Sequence, residues 1–252
     1  MKANDVRSNE PLRHGAYFCL RSPAAAPKEL EKLENEFQPA GDPAASTVAF
    51  LRRVEATPRD LGDDALLRAA AIVHISSEDA ALVAELTHRL APHATRVLGG
   101  VVRPTLYTGN AMHNFSYAHR VLQEPGSVMP NAFLIPMKKT SAWWQKGWME
   151  RHTYFLPRYD DAGRMISEGH ALAAASGIDC LMRRTYKSPT EPAPAGEYDF
   201  VNYFECADAG VPVFHDVCAA LRDPTRNPEW TFVREGPTWH GRRVATWAEL
   251  FA

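Results

Sequence analysis

The clearest periodic signal begins at Leu67. Residues 69–75 form an apolar run of strand length. Ser76-Ser77-Glu78-Asp79 follows and supplies an N-cap hydroxyl and first-turn acids. Residues 80–90 then set Leu82, Val83, Leu86 and Leu90 on one helical face, and Pro92 stops them. A second strand is expected at 95–102, closed by Arg103-Pro104. The same order of elements returns later. Residues 198–205 alternate as a strand. Asp208 is placed to cap a helix on which Val213, Phe214, Val217, Cys218 and Leu221 share a face. Arg222-Asp223-Pro224 ends that helix. Residues 230–234 read as the returning strand, closed by Glu235-Gly236-Pro237. Strand, acid-capped helix and strand thus occur twice, about 130 residues apart, as in an internal duplication. Each unit can be half of a ferredoxin-like β-α-β repeat. Two such sheets facing one another would enclose a cavity.

Outside these units the pattern is weaker. Residues 1–47 are rich in Pro and Ala, with a strand expected at 16–20. A helix is expected at 47–54, before Pro58. Residues 109–130 read as a long loop joining an N-terminal half, 1–130, to a C-terminal half, 131–252. In the second half a strand is expected at 133–136, a loop at 151–163, a helix at 167–175 and a strand at 177–187.

Composition fits a globular chain with a real core, with 45% hydrophobic and 23% charged residues. A net charge of −2, with no basic stripe, argues against nucleic acid or a membrane surface as partner. No apolar run approaches membrane-spanning length, and residues 1–14 contain no apolar leader core, so a cytoplasmic location is expected, with a mature periplasmic form as the alternative. Cys19, Cys180, Cys206 and Cys218 have neither C-x-x-C nor zinc-site spacing and read as reduced, mostly buried thiols. The H-E-x-x-H, G-x-S-x-G, Walker A and G-x-G-x-x-G patterns are all missing, which removes the corresponding zinc-protease, hydrolase and nucleotide signatures.

Three groups could carry chemistry. His170 follows Glu168-Gly169 and precedes small residues that would let a flat, bulky group approach the backbone. On its own the pattern also fits a surface or satisfied histidine. Arg183 and Arg184 lie in an otherwise apolar strand, and period two sends them to opposite faces. A guanidinium facing a buried side needs a carboxylate or a polar cavity. Trp143-Trp144 can divide between core and interface or cofactor, and Lys138-Lys139 can pair with carboxylates or be solvated.

At this point the residues resemble a known family. Pro136-Met137-Lys138-Lys139-Thr140-Ser141-Ala142-Trp143-Trp144 resembles the P-x-K-K-x-x-x-W-W motif of the chlorite dismutases. Arg183-Arg184, followed by Tyr198-Asp199-Phe200-Val201-Asn202-Tyr203-Phe204-Glu205, resembles their R-K-x-Y…D-F-x-x-Y-F-E run. Asn227-Pro228-Glu229-Trp230 sits where the family has an acid before its last strand. Residues 100–108 resemble its G-V-x-K-P-x-x-Y element. The likeness covers 95–108 and 131–243 and fades before residue 67.

The resemblance implies an α+β fold: a dimeric α+β barrel of two ferredoxin-like halves, with b-type haem in the C-terminal half. His170 then matches the haem-iron ligand. Glu229 matches the acid accepting from its Nδ1–H, and Arg183 the arginine over the other haem face. Tyr107, Lys139 and Trp143 match residues around the haem edge and propionates, and Trp144 the second tryptophan, with a packing or subunit-contact role. The interval from the tryptophan pair to His170 is longer than the family's by about a dozen residues. This puts an insertion at 151–163 and makes His152 a rival ligand. The downstream register to Arg183 favours His170.

The implied chemistry is decomposition of chlorite, a small anionic substrate, to chloride and dioxygen, through a ferryl species and hypochlorite held by Arg183. The implied assembly is a homo-oligomer, with a pentamer favoured. Coproheme decarboxylase is a less similar relative, because its reactive tyrosine falls near Ala142 and its distal position carries Gln where Arg183 stands. A peroxidase-like or sensing haem protein is another reading. A haem-free binding or assembly barrel is a third, and it predicts that His170 and Glu229 lie far apart.

Overall fold

The computed structural model describes residues 12–22, 27–36, 46–102, 129–177 and 180–252. The first half builds β1 (His14–Leu20), α1 (Pro27–Glu36), β2 (Ser46–Thr57), the short α2 (Asp64–Leu67), β3 (Ala71–Ser77), α3 (Ala80–Leu90) and β4 (Arg96–Val102). The second builds β5 (Asn131–Lys139), α4 (Ser141–Trp144), α5 (Trp148–Thr153), β6 (Arg158–Tyr159), β7 (Met165–Ser167), α6 (Gly169–Ala173), β8 (Met182–Lys187), β9 (Phe200–Cys206), α7 (Val211–Arg222), β10 (Val233–Glu235) and β11 (Thr238–Val244).

Eight strands close into one antiparallel barrel in the order β5-β11-β2-β3-β1-β4-β8-β9, with β9 returning to β5 and β10 added outside β5. Four strands of the first half run β2-β3-β1-β4 and four of the second run β11-β5-β9-β8. The halves join where β2 pairs with β11 and β4 with β8. Full closure leaves these eight strands without a free edge.

Inward side chains pack a solid core that includes Tyr17, Leu51, Ile72, Leu134, Tyr203 and Trp239. Thus the barrel interior is filled, and the cavity expected between facing sheets lies elsewhere. The outer face of the first half packs under α1 and α3 through Phe18, Val73, Leu33 and Leu86. The outer face of the second packs under α7 through Phe133, Phe204, Phe214 and Leu221.

Several expectations need correction. Residues 47–54 are strand, not helix. Val48 and Phe50 pack outward while Ala49 and Leu51 pack inward, so both faces are apolar and the alternation vanishes. The cap of α3 is the Asp79 carboxylate, which accepts from the amides of Ala81 and Leu82. Asp208 does not cap α7. It sits in a 3-10 turn and binds Asn131 and Arg242. Pro228–Phe232 is also 3-10, and the strand that closes the barrel is β11. The segment expected as a loop at 151–163 carries the end of α5 and the first strand of the β6–β7 hairpin. Among the described residues no helix is long and apolar enough to cross a membrane.

Candidate functional site

The cleft lies on the outer face of the second half. It is a narrow, partly open cleft with room for about 60 Å3 as its side chains stand. Its floor is β5, β8 and β9, where Lys139, Arg183, Thr185, Phe200 and Asn202 point away from the barrel core. Side chains from the stretch between α4 and α6, together with Glu229, complete its lining.

His170 is positioned by its neighbours. Gly169 has φ +66°, and a Cβ there would run into the Leu156 carbonyl, so glycine is required. The amides of Glu168 and Gly169 bond to the Arg226 carbonyl at 2.9 Å each, while those of His170 and Ala171 bond to the carbonyls of Tyr154 and Phe155. An Arg226–Glu168 ion pair reinforces the junction at 2.8 Å. The imidazole is thereby buried. Its Nδ1–H donates to Glu229 Oε2 at 3.0 Å. Its Nε2 accepts from Arg183 Nη1 at 2.9 Å. Because a guanidinium keeps its protons, Nε2 must carry the lone pair. The ring is the neutral Nδ1–H tautomer. Burial lowers its pKa, as do Arg183 and Lys139, against the opposing pull of Glu229.

Glu229 is itself buried and receives Lys139 Nζ on Oε1 at 2.5 Å. Burial would raise its pKa, but Lys139 and His170 outweigh that effect and hold the carboxyl far below its usual range. Lys139 ends β5. Its backbone amide donates to Asp199 Oδ2 at 2.6 Å, and its ammonium lies 4.2 Å from the Trp143 ring centroid. On β8, Arg183 Nη2 donates to Asn202 Oδ1 at 3.2 Å, and Thr185 donates to the same oxygen at 2.6 Å.

The residues singled out in the sequence thus meet in one place: His170, Glu229, Lys139 and Arg183 are in contact, and Trp143 and Trp144 line the same cleft. Tyr107 lies outside the described residues. His152 lines the cleft with its ring edge-on to Trp148 at 5.4 Å, while the buried carboxylate goes to His170. Arg184 faces the barrel interior, near Glu205 and the Tyr17, Tyr186 and Tyr203 hydroxyls. His170 and Glu229 are neighbours, against the expectation for a haem-free barrel. Asn202 and Arg151 also belong to the cleft and were not read from the sequence. A polar residue among apolar ones on the outer face of β9 was the available signal for Asn202.

No protein-family model matches the chain, and no curated protein matches it. Solved structures do. Chlorite dismutase from Candidatus Nitrospira defluvii in complex with imidazole matches with TM-score 0.63 at 17% identity, covering 97% of this chain and 95% of that one. A mutant of that enzyme in complex with cyanide matches with TM-score 0.62 at 18% identity over the same shares. Dimeric chlorite dismutase from Nitrobacter winogradskyi matches with TM-score 0.55 at 20% identity, covering 79% of this chain and 100% of that one. The chain has the chlorite dismutase fold.

Proposed function

We propose that the chain is a chlorite dismutase-family protein that binds b-type haem through His170 and decomposes chlorite to chloride and dioxygen. The observation that carries this reading is the buried line Lys139–Glu229–His170, which ends in a lone pair on Nε2 facing the Arg183 guanidinium. A neutral imidazole with its other nitrogen bound to a carboxylate is the arrangement that orients a metal-ligating histidine and makes it more electron-donating. Aromatic walls at Trp143, Trp144, Phe155 and Phe200 suit a flat apolar group. Trp144 Nε1 and Arg151 Nε, buried donors with no partner among the described residues, suit a group with an acidic edge. His170 Nε2 would hold the haem in place of its contact with Arg183, and the guanidinium thus released would be able to meet a small anion.

The haem supplies the redox chemistry when bound. The chain's own residues do the rest. Glu229 fixes the His170 tautomer, and Lys139 keeps Glu229 ionised. Arg183, steadied by Asn202, offers a permanent cation to a small oxyanion through charge-assisted hydrogen bonds. Trp143 and Phe155 exclude water from the ligand side. On this reading haem sits in the C-terminal of two ferredoxin-like halves, an order consistent with the strand sequences β2-β3-β1-β4 and β11-β5-β9-β8. Homo-oligomerisation, pentameric by the family resemblance, accompanies the proposal. Trp148, Met149, Leu156, Tyr159, Met165 and Ile166 offer exposed apolar surface for it.

Arg183→Ala is the test. With haem retained, oxygen evolution from chlorite should fall about 100-fold or more, the scale for losing one donor to a developing charge. An oxygen electrode reads it directly. Unchanged turnover would refute the role of Arg183, and no oxygen from the haem-loaded wild type would refute chlorite as substrate.

A further inference from the structure

The segment between Trp144 and His170 carries chemistry that haem ligation by His170 does not use. α5 brings Arg151 to the cleft, with its guanidinium carbon 5.4 Å from the Trp144 ring centroid. The Trp144 ring in turn stacks on Phe200 of β9 at 6.4 Å and 18°. Arg151 Nε and Trp144 Nε1 are both buried, and neither has a hydrogen-bond partner among the described residues. Neighbouring cations are paired, Lys146 with Glu150 and Lys139 with Glu229. Native folds rarely keep a buried N–H unsatisfied without a use for it. Two such donors on one wall, one of them on a guanidinium, match an anionic acceptor. Carboxylate is the group whose paired oxygens fit a guanidinium fork.

On the reading that the cleft holds haem, we propose that Arg151 and the Trp144 indole N–H form a carboxylate-binding wall that takes the acidic edge of that group. The cation comes from the stretch whose length departs from the family spacing, so this hold belongs to the present chain rather than to the fold. Stacking on Trp144 fixes the guanidinium plane. The backbone of α5 is held by the Arg151 amide bonded to the Gly147 carbonyl at 3.0 Å.

The test is release of haem from loaded protein to excess apoglobin, followed by Soret absorbance. Wild type, Arg151→Ala, Arg151→Lys and Trp144→Phe are compared, each loaded with haem or with haem dimethyl ester, which lacks free carboxylates. Azide affinity of the same loaded proteins serves as the small-anion arm. Arg151→Ala should release haem about 10-fold faster or more, the effect of losing one charge-assisted hydrogen bond. Trp144→Phe and Arg151→Lys should lie between it and wild type, and all four proteins should release the ester at one rate. Equal haem release by wild type and Arg151→Ala overturns the proposal. Equal acceleration with the ester also overturns it, because Arg151 would then only pack on Trp144. Weakened azide binding with unchanged haem release assigns the cation to a small anion instead and overturns it too. Wild type that takes up neither haem nor ester overturns the haem reading itself, whereas uptake with unchanged release from Arg151→Ala leaves that reading standing.

Discussion

Glu229→Gln keeps the shape of the side chain and deletes its charge. In the structure Glu229 is 5% and Lys139 8% exposed, with Nζ 2.5 Å from Oε1. At an effective dielectric of about 20, the Coulomb attraction at that separation is roughly 7 kcal/mol. Desolvating the two ions takes back several kcal/mol, so the pair gives the fold little net stability. Its removal is another matter. The amide oxygen of Gln can still accept from His170, but Lys139 is left buried without a counter-charge. Breaking a buried pair from one side costs about 3–5 kcal/mol, a large share of a total that is typically about 5–15 kcal/mol. Urea unfolding of the haem-free protein, followed by circular dichroism, should show that loss as a lower midpoint at unchanged slope. Lys139→Met in the Glu229→Gln background removes the stranded cation and should recover about 2–3 kcal/mol of it. A single variant within about 1 kcal/mol of wild type would refute the reasoning. So would additive effects in the double variant, because either result means the ions do not share a buried contact.

Two other outcomes follow from the backbone and the surface. Gly169→Ala should cost about 2 kcal/mol or more, from its positive φ and the Leu156 carbonyl, whereas Gly163→Ala, at φ +75° with open space around it, should cost about 1 kcal/mol; urea midpoints compare the two, and equal losses would remove the argument for a pinned His170. The Asp208 pKa is lowered from 3.8 to about 2 by hydrogen bonds from Arg242 and Asn131. Its contribution is therefore complete above the unfolded value and lost as pH falls through the folded one. The stability gap between wild type and Asp208→Asn should be full above about pH 4 and gone near pH 2, and a gap that persists at pH 2 would contradict this.

The sequence was legible where one face of an element is apolar and the other is not. The expected bounds of α3 match the structure because Val83, Leu86 and Leu90 face the sheet while Glu85 and His88 stay out. β2 differs from the expected helix because a barrel strand covered on both faces loses its alternation. β5 runs past Pro136, which lacks an amide proton yet accepts from Gly236 through its carbonyl, so an apparent strand end lies mid-strand. The hairpin at β6–β7 turns on Asp160, whose side chain accepts from the amides of Ala162 and Arg164, a local signal present in the sequence. The cluster was different. Lys139 lies 90 residues and His170 59 residues from Glu229 along the chain. Periodicity carries no information about such contacts, and family resemblance alone joined these residues before the fold did. Asn202 and Arg151 escaped even that, since an Asn in a strand and an Arg in a short helix are ordinary until their partners are seen.

On the proposed reading His170, held by Glu229, binds haem iron. An absorption titration of the purified protein with haem tests it most directly, run on wild type, His170→Ala and His152→Ala. Wild type and His152→Ala should show the Soret band of a histidine-ligated haem, and His170→Ala should lose it. A band that survives His170→Ala but disappears in His152→Ala would contradict that reading, as would a wild-type spectrum identical to that of free haem.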